Sequence, residues 1–170
     1  MVLAFTVTLD TSLKEIDPHT YREFIIHSKT EKKTFHNACE IVERHGQVKW
    51  QVIELLNEHY GTTFCLSHWL HEQGYTGDDD VSSFLNEAGS NVLSHSEFKA
   101  PWKFHLWLGK QGFIIGIQQK GRGFNAREID EKRIKQNEGA AFEFFRRCRS
   151  MVFFDDSKNA RIVYFKFTLP

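Results

Sequence analysis

The stretch DDDVSSFLNEAGSNVLSHS, residues 78–96, has the pattern of an amphipathic helix opened by three acidic residues. Its apolar residues recur at helical spacing and predict one buried face, formed by Val81, Leu85, Ala88 and Val92. Glu87, Asn91 and His95 recur every fourth residue, which turns the side chain by only about 40° per step and places the three on one stripe. They are suited to the floor of a site. On this helix alone, an ordinary solvent-facing stripe explains them more simply.

Composition and charge indicate one globular domain. Of the 170 residues, 41% are hydrophobic and 26% are charged, and 22 basic residues balance 22 acidic ones, so a broad role in binding nucleic acid is not indicated. No apolar run approaches the roughly 20 residues that cross a bilayer, and the N-terminus lacks signal-peptide features. The isolated residues Cys39, Cys65 and Cys148 indicate reduced thiols. We therefore expect a cytoplasmic protein that binds neither membranes nor nucleic acid.

The order of predicted elements favours an α+β fold, with helices layered on one face of a mainly antiparallel sheet. Before residue 78 we predict a strand (2–9), a turn (10–14) and four helices (17–26, 30–45, 48–60 and 62–70). Asp17-Pro18 is interpreted as a helix start and Gly46 as a helix stop. After residue 96 we predict a hairpin (102–108 and 113–117), a charged segment (127–137), a helix from 139 to about 149, and two closing strands (151–154 and 160–169).

Two glycine-containing segments are candidates for close approach of the backbone to a ligand. Gly121 and Gly123 follow the second hairpin strand, and neither has a Cβ atom to obstruct a ligand. Gly139 and Ala141 lie at the start of the next predicted helix, where small residues expose backbone N–H groups to an anion such as phosphate. Each segment alone also fits a plain turn or helix start.

In this order, the segments resemble the ATP-binding domain of the gyrase, histidine kinase and mismatch-repair ATPase superfamily (GHKL, the Bergerat fold). LNEAGSNVLSH (85–95) resembles the N box, and its His95 is similar to the form found in bacterial anti-sigma-factor serine kinases. IGIQQKGRGFN (115–125) resembles the G1 box, EGAAFEFFRR (138–147) the G2 box, and FKFTLP (165–170) the last strand of histidine-kinase ATP domains. The resemblance implies a two-layer α/β sandwich in a single domain, with an ATP-binding-like core at 78–170 and extra N-terminal helices at 10–75.

The resemblance implies ATP and Mg²⁺ as cofactors and assigns roles to the matching residues. Asn91 would hold Mg²⁺ through its carboxamide oxygen, a hard ligand for a hard cation, and Glu87 would act as the general base. Gly121 and Gly123 would wrap the adenine end of the nucleotide. Gln119 stands where the family has an aspartate that accepts a hydrogen bond from the adenine amino group, so charge assistance is lost there.

The same resemblance places the phosphates near the charged segment 127–137, which corresponds to the mobile ATP lid. Lys132, Arg133 or Lys135 would approach the γ-phosphate. Gly139 and Ala141 belong to the G2 box, where Ala141 replaces a second glycine and adds a methyl group. The Gly-Thr pair that the family has before its last strand has no clear counterpart in residues 159–163.

The expected function is that of an ATP- and Mg²⁺-binding regulatory protein that acts on a partner protein, as a serine kinase similar to the anti-sigma class. Self-phosphorylation is not expected, because His71-Glu72 lacks the nearby proline of a phosphoacceptor helix. The alternative is a catalytically degenerate GHKL-fold protein that serves as an interaction module, with the N-terminal helices as its partner or homodimer surface. The departures at Gln119 and Ala141 and the missing Gly-Thr pair motivate this alternative.

Zinc binding and cysteine catalysis are the two other kinds of site that the side-chain chemistry offers. His59, Cys65, His68 and His71 lie within 13 residues, but the set lacks the usual pairing of zinc ligands. On a helix, Cys65, His68 and His71 would spread over roughly 120° of its surface. Cys148 has no evident base partner in the sequence, so a cysteine nucleophile is not favoured. Neither pattern displaces the nucleotide-binding hypothesis.

Overall fold

The computed structural model describes residues 3–26, 39–66, 80–136 and 140–170. Within these ranges the chain forms six strands: β1 (Leu3–Ala4), β2 (Pro18–Ile26), β3 (Trp102–Gly109), β4 (Gly112–Gln118), β5 (Met151–Phe154) and β6 (Ile162–Thr168). The same ranges contain five helices: α1 (Leu9–Ile16), α2 (Cys39–Tyr60), α3 (Asp80–His95), α4 (Ala126–Gln136) and α5 (Ala140–Arg147). The predicted α+β class is confirmed.

The strands form one mixed sheet in the order β1-β5-β6-β4-β3-β2. β1 and β5 pair in parallel, and every other neighbouring pair of these strands is antiparallel. The predicted hairpin is β3–β4, and the predicted closing pair is β5–β6. A mainly antiparallel sheet is therefore confirmed.

Alternating side chains along the strands divide the core into two clusters, one on each face of the sheet. On β4, Phe113, Ile115 and Ile117 belong to the larger cluster and Ile114 to the smaller one. The larger cluster also takes buried residues from α2, α3, α4 and α5, whereas α1 contributes Ile16 to the smaller one. Four of the described helices thus cover one face, as expected, and α1 covers the other.

Three predictions for the N-terminal region are wrong. Within residues 3–9, the described part of the predicted strand 2–9, only Leu3–Ala4 is a strand. The predicted turn 10–14 lies within α1, which Thr8 caps by accepting a hydrogen bond from the Thr11 N–H over 3.3 Å. Asp17 adopts a left-handed conformation (φ 50°) and ends α1, so that Pro18 opens strand β2 instead of a helix. β2 pairs with β3 along its length. This distant partner decides the structure of 17–26.

Gly46 does not stop a helix, because α2 runs through it from Cys39 to Tyr60. Buried residues on both sides, among them Ile41, Val48 and Val52, belong to the same core cluster, and this packing outweighs the low helix propensity of one glycine. The helix predicted at 62–70 is absent from its described part, residues 62–66, and the rest lies outside the described residues. So do residues 27–38, which include the first part of the helix predicted at 30–45. The region 10–75 is therefore not wholly helical.

Helix α3 has the predicted amphipathic character. Its four predicted apolar positions are all buried: Val81, Leu85, Ala88 and Val92. Asp80, at its start, accepts hydrogen bonds from the backbone N–H groups of Arg149 (2.6 Å) and Ser150 (3.1 Å), which ties α3 to the connection between α5 and β5. No helix in the described ranges is long and apolar enough to cross a membrane.

Candidate functional site

A cavity of about 590 Å³ lies between α3, the end of β4, α4 and α5. This volume falls within the range of about 300–1,000 Å³ that is typical of small-molecule sites. The apolar wall consists of Ala88, Val92, Ile117, Phe124, Ile129, Ala141, Phe142, Phe145 and Val163. The polar side chains are Glu87, Asn91, His95, Glu97, Gln119, Arg122, Lys132 and Arg161. Such a mixture suits a ligand with one flat apolar part and one charged part.

The polar stripe of α3 lines the cavity along its whole length. Glu87 and Asn91 are half-buried and His95 is exposed. In the described part of the chain, the side chains of Glu87 and Asn91 form no hydrogen bond and no ion pair. Two polar groups beside an apolar wall, without protein partners there, are available to a ligand.

The loop after β4 brings Gln119 and Gly123, but not Gly121, into the cavity wall. The Gln119 backbone N–H donates to the Arg161 carbonyl (2.9 Å), and its side-chain Nε2 donates to the Arg122 carbonyl (2.9 Å). Gly123 packs so tightly that a Cβ atom would lie 2.7 Å from the backbone oxygen of Asn159. Its small size is therefore needed for a contact within the protein as well as for access to the cavity.

The predicted lid segment is helix α4. Of the three cations predicted to approach the phosphates, Lys132 lines the cavity and Arg133 and Lys135 do not. Lys132 lines the cavity and pairs with Glu128 at 2.7 Å. Arg133 does not line the cavity, because its guanidinium pairs with Asp130 on its own helix and with Glu143 on α5. Lys135 is exposed.

Asp130 is the centre of an ion-pair network that joins α4 to α5. It is 3% exposed, and Arg146 binds it through two nitrogens, one of them Nε at 2.8 Å. Burial alone would raise the pKa of the Asp130 carboxyl, but the hydrogen bonds and charges of Arg146 and Arg133 outweigh it and hold that pKa below its usual range. The network fixes α4 beside the cavity and occupies Arg133.

At the start of α5, Ala141 lines the cavity and is buried, and Phe142 and Phe145 continue the wall. Gly139, the other predicted G2 residue, lies outside the described residues. The Ala141 methyl group thus occupies the position where the resemblance implied a second glycine.

Three charged residues of the cavity were not predicted from the sequence: Glu97, Arg122 and Arg161. Glu97 follows the end of α3, and Arg161 reaches the cavity because the β5–β6 connection folds back beside the loop after β4. Asp155 shapes that connection by accepting the backbone N–H groups of Arg161 and Ile162, each over 3.0 Å. These placements depend on tertiary structure, so no periodic pattern indicates them. For Arg122, its place between the two loop glycines was the available signal.

Within the described residues, neither of the two competing kinds of site gains support. Burial, and then the negative charge of Asp80, raises the pKa of the Cys148 thiol to about 12, so a reactive thiolate is not formed near neutral pH. Within the described ranges no three His, Cys, Asp or Glu side chains are grouped to hold a metal ion. Of the considered zinc ligands, His59 is exposed, Cys65 is buried, and His68 and His71 lie outside the described residues.

Comparisons of the chain with protein-family models, with curated proteins and with solved structures gave no match.

Proposed function

We propose that the cavity binds ATP with Mg²⁺ and that the chain is a histidine kinase-like ATPase domain protein of GHKL type, which acts on a partner protein. The observation that carries the proposal is that one cavity collects side chains from four separate segments. These are the segments that resemble the N box, the G1 box, the lid and the G2 box. They contribute Glu87 and Asn91, Gln119 and Gly123, Lys132, and Ala141, respectively.

The walls of the cavity suit the two ends of a nucleotide. Ile117, Phe124 and Val163 are apolar surfaces near Gln119, where a flat base can pack. Lys132 lies on α4, and Ala141 stands in the first turn of α5. A cation and a helix N-terminus both favour phosphate.

The residues present fit a Mg²⁺ ion that is held mainly by phosphate oxygens. Mg²⁺ usually takes only one or two protein ligands besides substrate phosphates and waters. Asn91 offers a carboxamide oxygen without a hydrogen-bond partner in the described ranges, and Glu87 lies one turn earlier on the same stripe. When bound, the ion would supply positive charge that offsets the charge of the phosphates.

Glu87 is the candidate general base. Its carboxylate lines the cavity and carries no ion pair in the described part of the chain, so it is available to accept a proton from water or from a partner's hydroxyl. The kinase hypothesis therefore predicts that Glu87→Ala abolishes turnover of ATP and leaves binding of ATP largely intact. Equal loss of both would mean that Glu87 has a structural role.

A catalytically degenerate interaction module is the second candidate. Gln119 carries no charge, Ala141 adds a methyl group, and Arg133 is held by Asp130 and Glu143 instead of lining the cavity. These features lower the affinity expected for a nucleotide and do not disturb the fold.

Isothermal titration with Mg²⁺ and ATP separates the two candidates. We expect the wild-type chain to bind and Asn91→Ala to lose the Mg²⁺-dependent part of the affinity. Gln51→Ala, which removes an exposed amide from α2, is the matched control and should bind as the wild type does. No binding heat from the wild type at millimolar ATP would contradict the proposal and favour the interaction module.

A further inference from the structure

The backbone of Arg122 holds two side chains at the loop end of the cavity. Its N–H donates to Glu97 Oε2 over 2.7 Å, and its carbonyl accepts from Gln119 Nε2 over 2.9 Å. Because a carbonyl oxygen can only accept, the amide nitrogen of Gln119 must face it. The backbone of Arg122 therefore fixes the side chains of both Glu97 and Gln119, and both residues line the cavity.

Each of these two side chains retains one oxygen acceptor that receives no hydrogen bond from the described part of the chain. Within the described ranges, Glu97 Oε1 and Gln119 Oε1 have no hydrogen-bond donor. Both side chains belong to the cavity whose apolar wall includes Ile117, Phe124 and Val163. Two oxygen acceptors in a cavity with such a wall suit a flat heterocycle that carries N–H donors at its edge.

The loop is built around the Glu97 carboxylate. Gly121 has φ +96°, in the region that favours glycine, and a Cβ atom there would lie 2.5 Å from Glu97 Oε2 and 2.7 Å from Phe98 Cδ2. Gly121 does not line the cavity, so its missing side chain serves this internal contact. Glu97 is exposed, but this close contact and the hydrogen bond from the Arg122 N–H fix the position of its carboxylate.

We propose that Glu97 is a specificity-determining residue that accepts a hydrogen bond from the exocyclic amino group of the adenine base. This inference rests on the proposed function. A hydrogen bond to a carboxylate is roughly twice as strong as one between neutral groups, so Glu97 supplies the charged acceptor that Gln119 does not provide. Gln119 Oε1 adds a neutral acceptor in the same cavity.

The test compares ATP with purine riboside triphosphate, which lacks the amino group, in the wild type and in Glu97→Gln. The substitution removes the charge but keeps an oxygen that can accept the Arg122 N–H, so the loop retains its anchor. We expect the affinity for ATP in the presence of Mg²⁺ to fall about three- to tenfold. The affinity for the analogue should stay unchanged, which also shows that the variant is folded.

Glu58→Gln, an exposed carboxylate on α2, makes the same change in net charge and should leave both affinities unchanged. An equal loss for the two ligands in Glu97→Gln, or no loss for either, would overturn the role of Glu97 while the proposed function stands. Failure of the wild type to bind either triphosphate would overturn the proposed function and this inference with it.

Discussion

At the scale of single residues, His45 on α2 is an unusual buried polar group. It is 4% exposed, and its ring lies 5.1 Å from that of Trp102 and 5.9 Å from that of Phe104, measured between centroids. Its Nε2 has no hydrogen-bond partner in the described part of the chain. Burial, and then the positive charge of Lys49, lowers its pKa from 6.5 to about 3. His45 is therefore neutral in the folded protein.

The neutral His45 makes stability depend on pH. Its folded-state pKa is lower than its unfolded-state pKa, so between about pH 6.5 and 3 the unfolded chain binds a proton that the folded chain does not. The free energy of unfolding should fall by about 1.4 kcal/mol per pH unit as the pH drops through this window. Urea unfolding at pH 7 and pH 5 should differ by about 2 kcal/mol from this residue alone.

His45→Leu is the variant that checks this expectation. It removes the titrating ring and retains an apolar side chain at the site, so the difference between pH 7 and pH 5 should shrink by about 2 kcal/mol. If the free energy of unfolding of the variant depends on pH as that of the wild type does, other groups cause the pH dependence and His45 does not stay neutral.

At the scale of elements, two helical glycines differ in what surrounds them. On α3, a Cβ atom at Gly89 would lie 2.7 Å from His45 Cε1, so this glycine gives the imidazole its space. On α2, a Cβ atom at Gly46 would meet nothing within 4 Å. The contact between α2 and α3 therefore requires glycine at one position and only tolerates it at the other.

The same substitution should have opposite effects at these two positions. Gly46→Ala should stabilise the protein by about 0.5–1 kcal/mol, because alanine has the higher helix propensity. Gly89→Ala gains the same propensity but forces the packed imidazole to move, and such overpacking costs about 1–3 kcal/mol. Chemical denaturation of both variants measures the two changes. A stabilising Gly89→Ala would mean that the ring of His45 has room to shift.

The elements also show what the sequence could and could not predict. The buried face of α3 follows from local spacing, and so do the hairpin and the closing strands. Strand β2 depends on its pairing with β3, and the continuation of α2 through Gly46 depends on packing against the rest of the core. Since neither cause is local, a local pattern predicts the wrong element in both places.

The candidate site likewise contains residues that local sequence patterns predict and residues whose positions depend on long-range contacts. Glu87 and Asn91 were predictable, because four-residue spacing puts them on one stripe, and Gln119 follows from its position beside the GxG segment. The location of Glu97 in the cavity depends on a long-range hydrogen bond to the Arg122 backbone. The separation of Lys132 from Arg133 depends on Asp130 and Glu143, which take Arg133 into ion pairs. Sequence alone could not choose between those cations.

At the scale of the whole molecule, the cavity and the main core share their residues. Ala88, Val92, Phe142, Phe145 and Val163 belong to the larger core cluster and also line the cavity. A ligand in the cavity would thus contact α3, α5 and β6 at once. Unfolding of the core would destroy the site, so binding to the folded chain should stabilise the whole domain.

The proposed nucleotide should therefore raise the midpoint of thermal unfolding. At a free concentration about 100 times its Kd, a ligand that binds only the folded state adds about 2.7 kcal/mol to the free energy of unfolding. For a domain of this size, each 1 kcal/mol raises Tm by about 2–4 °C, so Mg²⁺ with ATP should raise Tm by about 5–10 °C. ATP with a chelator should give a smaller shift, because Asn91 then has no ion to hold. A Tm that stays constant up to millimolar Mg²⁺ and ATP would contradict nucleotide binding in this cavity.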